Sequence, residues 1–333
     1  MLPCGLNNVG NTCFLNTALQ CLYRCKDFRT TLQNNVERSR NAKQKHHHHV
    51  YKALSSLFEN MNTKTVETPT HLIHSIQNCV RSKSTCGGNQ FACLTIQHDT
   101  SEFFIYLLDV LHQALENTVL IEIKGVAKSV DEKQTIDAMK QFKSFFTNNY
   151  SQIVSLFFSQ YQSSIHNTLT NEFSYSYDPF NTIQIDMPKV DKNSNLSLYD
   201  CFNKFTEIEK IETDKSVLHK RLRFKTLSKY IIIVLKRFSA TLQKRNDQID
   251  IPLELDLREY CVGADKYNNA YSLIAVANHK GRVVGGHYYA YVKDEDSDMW
   301  YICNDSQVRQ LHDIKSISSP FAYCLFYEKI EKK

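Results

Sequence analysis

The sequence predicts an α+β protein, with helices gathered in the first 150 residues and strands in the remainder. Three observations carry this reading. In "HDTSEFFIYLLDVLHQAL" the residues Phe103, Phe104, Leu107, Leu108, Leu111 and Leu115 recur at helical spacing and make one wide apolar stripe. After residue 153 the texture turns to aromatic and β-branched residues, which favour strands. The composition, 42% apolar and 23% charged over 333 residues, suits a chain that buries a sizeable core. That length fits one large domain with insertions, or two lobes sharing a cleft. The expectation is a single domain over 1–333, mainly helical over 1–150 and mainly β over 151–333.

The elements follow in order. Phe14, Leu15, Ala18, Leu19 and Leu22 define a first helix, capped by Thr12 or Asn11, with Cys13 in its first turn or just before it. Residues 34–49 are polar and basic and end in "HHHH"; they read as a solvated loop. Four consecutive histidines cannot aim their rings at one tetrahedral point without strain. In the helix already quoted, Asp99 and Glu102 have capping-box spacing. Residues 120–150 are charged, mixed and helical in character. Strands are expected in "IVSLFFSQYQSSIHNTL", "EFSYSYDPFNTIQIDMP", "KYIIIVLKRFSA", "NNAYSLIAVANHKG", "GGHYYAYVKDED" and "DMWYICNDSQVRQL", with turns at Asn-His-Lys-Gly and Asp-Glu-Asp-Ser-Asp.

Bulk properties remove several classes of function. The net charge of +5 is mild and has no long basic tract behind it, so no nucleic-acid partner is indicated. The start "MLPCGLNN" lacks the pattern of a secretory leader. The longest strongly apolar run, "YIIIVL", is far too short to span a bilayer, so no membrane is expected. Eleven cysteines at irregular spacings favour free thiols in a reducing compartment, cytoplasm or nucleus, over a disulfide framework.

One stretch asks for a chemical explanation. In "NNVGNTCFLN", Cys13 follows a glycine-punctuated polar turn where an apolar helix begins. A thiol nucleophile needs help to become thiolate, a base within reach, a group that fixes that base, and donors for the oxyanion. The helix N-terminus offers partial positive charge to Cys13. Asn8 and the Cys13 N–H are candidate oxyanion donors, and Gly10 lets the turn close tightly. Among 13 histidines, His287 stands out in "GGHYYAYV", because two glycines permit close approach and an alternating aromatic strand follows. His279 reads as a turn residue; His98 and His112 lie on or beside the helix already quoted. Asn304 and Asp305 in "WYICNDSQV" fall where a hairpin would return beside His287, and either side chain suits as its orienting partner.

These residues resemble a known family. "GLNNVGNTCFLNTALQCL" resembles the cysteine box of the ubiquitin-specific proteases, papain-like thiol enzymes, and "NHKGRVVGGHYYAYVKDEDSDMWYICNDSQV" their histidine box. "IQHDTSEFFIYLLDVLH", "YIIIVLKRFSA" and "IDIPLELDLREY" resemble three further motifs, all in the family's order, from residue 5 to about 327. The resemblance implies a papain-like fold with a helical thumb, a mixed palm and β fingers that grip ubiquitin. It assigns Cys13 as nucleophile, His287 as base, Asn304 as third member, Asp305 as adjacent helper or alternative, and Asn8 as oxyanion residue. It places Asp99 and Glu102 at acidic positions that hold ubiquitin's basic tail, and Gly285 and Gly286 at the mouth of the channel for the Gly-Gly terminus.

The implied activity is thiol-dependent hydrolysis of the bond after ubiquitin's C-terminal glycine, by a monomer, with ubiquitin or ubiquitinated proteins as partner and no cofactor. An inactive ubiquitin-binding scaffold and a protease for another ubiquitin-like modifier are the alternatives. The chain departs from many relatives at the fingertip. Two Cys-x-x-Cys pairs would bind zinc there, but Asn167 and Thr170 stand at the first pair's positions and no Cys-x-x-Cys occurs anywhere. Four N or S ligands are needed for structural zinc, so metal-free, shortened fingers are expected. The matches begin almost at the first residue, which suggests no accessory targeting or ubiquitin-like domain.

Overall fold

The structure is a computed structural model that describes residues 2–82, 89–94, 96–189, 196–214, 216–238, 243–282 and 285–331. The chain opens with the short strand β1 (Gly5–Leu6), then α1 (Cys13–Tyr23), α2 (Lys26–Asn34), the single turn α3 (Val36–Ser39) and α4 (Lys45–Met61). β2 (Val66–Glu67) pairs parallel with β1. Next come α5 (Thr70–Arg81), α6 (Thr100–Leu115), α7 (Val130–Phe146) and α8 (Gln152–Phe157). β3 (Ser159–Asn167), β4 (Glu172–Phe180), β5 (Ile183–Ile185) and β6 (Leu196–Ser197) lead to α9 (Leu198–Phe205). The remainder is β7 (Glu209–Glu212), β8 (Val217–Thr226), β9 (Tyr230–Leu235), β10 (Ile249–Asp250), β11 (Glu254–Asp256), β12 (Ala270–Arg282), β13 (Gly285–Lys293), β14 (Trp300–Asn304), β15 (Gln307–Gln310) and β16 (Ala322–Lys329).

The central sheet runs β15-β14-β13-β12-β16-β9-β5, with β11 joined to β12; β3, β4, β7 and β8 form a separate sheet in the order β4-β3-β8-β7. The all-apolar β9 explains how two cores meet. Successive side chains point to opposite faces. Tyr230, Ile232 and Val234 join the core shared with α1, α4, α5 and α6. Ile231, Ile233 and Leu235 join a second core with Leu198, Phe202 and Phe224. A strand buried on both faces reads as a continuous apolar run, and each such residue contributes roughly 1.5–3 kcal/mol by leaving water.

α1 is buried along its whole length, from Cys13 to Tyr23. Its polar residues are tied to the chain before it. Gln20 Nε2 donates to the Cys4 carbonyl at 2.6 Å, and Asn16 Nδ2 to that of Leu6 at 3.2 Å. These bonds fix the helix N-terminus, and therefore Cys13, relative to β1.

Three expectations are corrected. Residues 34–49 are not a loop throughout: α3 lies within them and α4 begins at Lys45. The helical stripe of α4 starts inside the histidine run, where His47 is buried with Val50, Tyr51 and Leu54. Burial pushes the His47 ring below its ordinary value, which favours the neutral form. The expected turn at Asn-His-Lys-Gly is instead the interior and end of β12; Arg282 pairs with Gly285, so the connection itself lies outside the described residues. Residues 153–157, expected as strand, form α8, and the helix α9 was not foreseen; its capping box is Ser197 with Asp200. No helix among the described residues is long and apolar enough to cross a membrane.

Candidate active site

The turn before α1 is held by its own side chains. Asn8 Oδ1 accepts from the Thr12 N–H at 3.0 Å, and Thr12 Oγ1 accepts from the Val9 N–H at 2.9 Å. Gly10 has φ +96°, a left-handed conformation that glycine adopts without a Cβ penalty. Thr12 stands at the N-cap, but its hydroxyl turns back to this loop and makes no cap bond to the helix. Cys13 is therefore the first helical residue and only 3% exposed.

The other half of the site comes from the β13–β14 hairpin. Lys293 pairs with Trp300 beside the tight turn at 294–299, and Ala290 pairs with Cys303. This register brings Asn304 next to His287. His287 Nε2 lies 2.5 Å from Asn304 Oδ1. A carboxamide oxygen only accepts, so Nε2 carries the proton and Nδ1 is left for another partner. The ring is raised to about 9. Interaction with the Cys13 thiol is the largest cause; burial opposes it, and the Asn304 bond and the charge of Asp305 add to it. Sequence-distant Cys13, His287 and Asn304 thus meet.

Asp305 does something other than orient His287. It has φ +51° in the β14–β15 turn, which swings its carboxylate toward the Cys13 loop. Oδ2 accepts from Asn8 Nδ2 at 2.9 Å and Oδ1 from Asn16 Nδ2 at 2.8 Å, while its carbonyl accepts from the Leu6 N–H at 2.9 Å. Of the two candidates for the His287 partner, Asn304 is the one in contact. Asp305 instead clamps Asn8, whose amide keeps a second N–H.

Asp99 is the N-cap of α6. Its Oδ1 accepts from the Ser101 and Glu102 N–H groups at 2.7 and 3.2 Å, and its Oδ2 from the Tyr323 hydroxyl at 2.7 Å. Glu102 is exposed, with Gln90 Nε2 at 3.5 Å from its carboxylate. The two glycines differ. A Cβ on Gly285 would meet nothing within 4 Å, whereas one on Gly286 would fall 2.1 Å from His279 Nε2.

Two residues near the site were missed or misread. Gln97 grips the backbone of Gly286 from both sides, donating to its carbonyl at 2.8 Å and accepting from its N–H at 3.1 Å. It belongs to the quoted "IQHDTSEF" motif, but nothing in the motif reveals which strand it faces. His279 lies within β12 and is 3% exposed, with its ring 4.6 Å from that of Tyr288. Its apolar neighbours in "SLIAVANH" were the available signal for burial.

Burial pushes Cys4 up to about 11 and Cys201, Cys261 and Cys303 up to about 12. At the β3–β4 turn, Asn167 Oδ1 accepts from the Leu169 and Thr170 N–H groups at 2.9 and 3.4 Å. Among the described residues no group of three or more His, Cys, Asp or Glu is placed to hold a metal ion.

A thiol at a helix start, an imidazole and a carboxamide in sequence, joined across a helical half and a β half, define a papain-like arrangement. The family model described as ubiquitin carboxyl-terminal hydrolase matches residues 4–327, and the chain belongs to that family. It is 29% identical to ubiquitin carboxyl-terminal hydrolase 5 of Saccharomyces cerevisiae over 367 residues, covering 98% of this chain and 44% of that protein. It is 30% identical to hydrolase 4 of Vanderwaltozyma polyspora and to Usp2 of Drosophila melanogaster, covering 98% of this chain in each case and 41% and 35% of those proteins. The chain thus spans less than half the length of these relatives. In fold it is similar to a chain of the SAGA Ubp8/Sgf11/Sus1/Sgf73 DUB module bound to ubiquitin aldehyde, with a TM-score of 0.72, 23% identity, and coverage of 99% of this chain and 70% of that one. The expected papain-like α+β class is therefore the fold of the protein.

Proposed function

We propose that this chain is a thiol-dependent deubiquitinase that hydrolyses the isopeptide or peptide bond after the C-terminal glycine of ubiquitin. Residues 1–333 act as one catalytic unit and as a monomer, in the cytoplasm or nucleus. The observation that carries the reading is His287, set between Cys13 and Asn304 and raised to about 9 chiefly by the thiol. An imidazole so placed is protonated at neutral pH and stabilises a thiolate beside it.

The chemistry divides into two steps. The Cys13 sulfur attacks the glycine carbonyl, and the oxygen becomes an anion held by the Cys13 N–H and the second N–H of Asn8. Asp305 positions Asn8 for that task. The C–N bond breaks as His287 gives its proton to the leaving amine. Water then attacks the thioester, His287 takes a proton from it, and the acid leaves with the thiolate restored. Glu102 offers the exposed carboxylate to ubiquitin's basic tail; Asp99 adds charge behind it. Gly285 and Gly286 border the passage for the tail.

The test is turnover of a ubiquitin C-terminal amide reporter by the purified protein. Cys13→Ala should abolish turnover and keep ubiquitin binding. Normal activity in that variant would overturn the assignment, and so would the absence of any wild-type adduct with a covalent ubiquitin probe under reducing conditions.

A further inference from the structure

A cavity of about 640 Å³ opens against His287 and Asn304. It lies beside the second core, and Tyr289, Tyr291, Ile302 and Phe321 line it. Lys280 and Arg309 stand at its exposed rim, and the Lys280 ammonium lies 5.9 Å from the centroid of the Phe321 ring. Among the described lining residues Lys280 and Arg309 add two cations to the imidazole of His287, and there is no carboxylate.

The position of this cavity relative to the reacting atoms gives it a meaning, on the reading of the function above. The carbonyl carbon must touch the Cys13 sulfur. The leaving amine must touch the His287 ring to receive its proton. Gln97 holds Gly286, on the side from which that reading brings the glycine tail. The chain that carries the leaving amine continues past the imidazole, into the space that His287 and Asn304 share with this cavity.

We propose that the cavity is an acceptor-side subsite that binds the segment of the conjugated protein around the modified lysine. The lysine's methylenes and an apolar neighbour pack on Tyr289, Tyr291 and Ile302. Acidic residues flanking the lysine pair with Arg309 and Lys280. The subsite makes the enzyme select among conjugates by the charge next to the linkage, a choice that recognition of ubiquitin alone cannot supply.

The experiment compares two ubiquitin–peptide isopeptide conjugates, one with aspartate and glutamate beside the lysine and one with arginine and lysine there. A ubiquitin amide reporter with a small leaving group is run beside them. The acid-flanked conjugate should show about fivefold higher kcat/KM, as expected for two exposed charge pairs, and the preference should shrink in high salt. Arg309→Glu should remove or invert the preference while reporter turnover stays at the wild-type rate; Lys280→Gln should narrow the preference. Equal rates on the two conjugates would overturn the proposal, as would a preference that survives both substitutions. An Arg309→Glu loss shared equally by the reporter would overturn it too, since the residue would then serve the fold. If wild-type protein cleaves neither conjugates nor reporter, it is the deubiquitinase reading that fails.

Discussion

His279 and His287 sit on the paired strands β12 and β13, and their surroundings push them in opposite directions. His279 is enclosed by the rings of Tyr288, Phe238 and Tyr323, at 4.6, 5.6 and 6.5 Å. Burial, with the nearby Lys244 charge adding, lowers it to about 4. His287 has a thiol on one side and a carboxamide oxygen on the other, and rises to about 9. One residue type thus serves as a neutral packing element in one place and a proton carrier in the next. The difference lies in the partners that other elements bring to each ring: Phe238, and Tyr323 of β16, to His279; the Cys13 thiol of α1 and Asn304 of β14 to His287.

The largest test of this contrast is to remove each ring in turn. His287→Ala should lower kcat/KM on a ubiquitin amide reporter roughly a thousandfold, the scale of a lost general acid and base. His279→Gln should cost far less, within about a factor of ten, because that ring supports Gly286 and exchanges no proton. Similar losses in the two variants would break the distinction.

The steric role of His279 is checked at the two glycines. Gly286→Ala drives a Cβ to 2.1 Å from His279 Nε2. The strand must shift, and His287 follows Gly286 directly in sequence. Such a displacement should cost roughly a hundredfold in rate. Gly285→Ala meets nothing within 4 Å and should keep the wild-type unfolding temperature. A Gly286→Ala protein with full activity would show that the ring below it is free to move.

Much of this was legible in the sequence, for identifiable reasons. The α6 stripe and the two-sided β9 declare themselves through periodicity and unbroken apolarity. Cys13 stood out because a polar turn with glycine precedes an apolar helix, and His287 because of its glycines and alternating aromatics. What stayed hidden depends on contacts across the fold. Local pattern leaves Asn304 and Asp305 equal and only the family resemblance favours Asn304; the role of Asp305, whose carboxylate reaches Asn8 and Asn16 from a left-handed turn position, was hidden. The histidine run reads as a solvated loop because three further histidines mask the one, His47, that continues the buried stripe of α4. His279 looked like part of a turn because Lys-Gly follows it, yet strand pairing continues to Arg282.

A smaller effect is expected from Asn304. Its oxygen is one of the groups that raise His287, after the thiol. Asn304→Ala should move the alkaline limb of the rate profile down from about 9 toward the ordinary imidazole value. Between those limits the loss grows to about tenfold per unit of displacement. A profile measured on the reporter from pH 6 to 10 reads this directly. A uniform loss at every pH, with the limb unmoved, would mean that Asn304 orients the ring and does not tune it.

The last effect appears in stability. The unfolded chain gives both histidines the ordinary value of about 6.5. His279 is about 4 when folded, so between these values the unfolded state takes up a proton that the folded state refuses. Stability therefore falls as pH drops from about 6.5 to about 4, by at most roughly 3 kcal/mol. His287 is raised, so its contribution is complete below about 6.5 and is lost as pH climbs through about 9. Urea midpoints at pH 4.5, 7 and 9 separate the two. His279→Gln should flatten the acid side and leave the alkaline side unchanged; His287→Gln should do the reverse. An acid limb that persists in His279→Gln would assign it to the carboxylates, and the buried ring would then be a packing group whose protonation the folded protein tolerates.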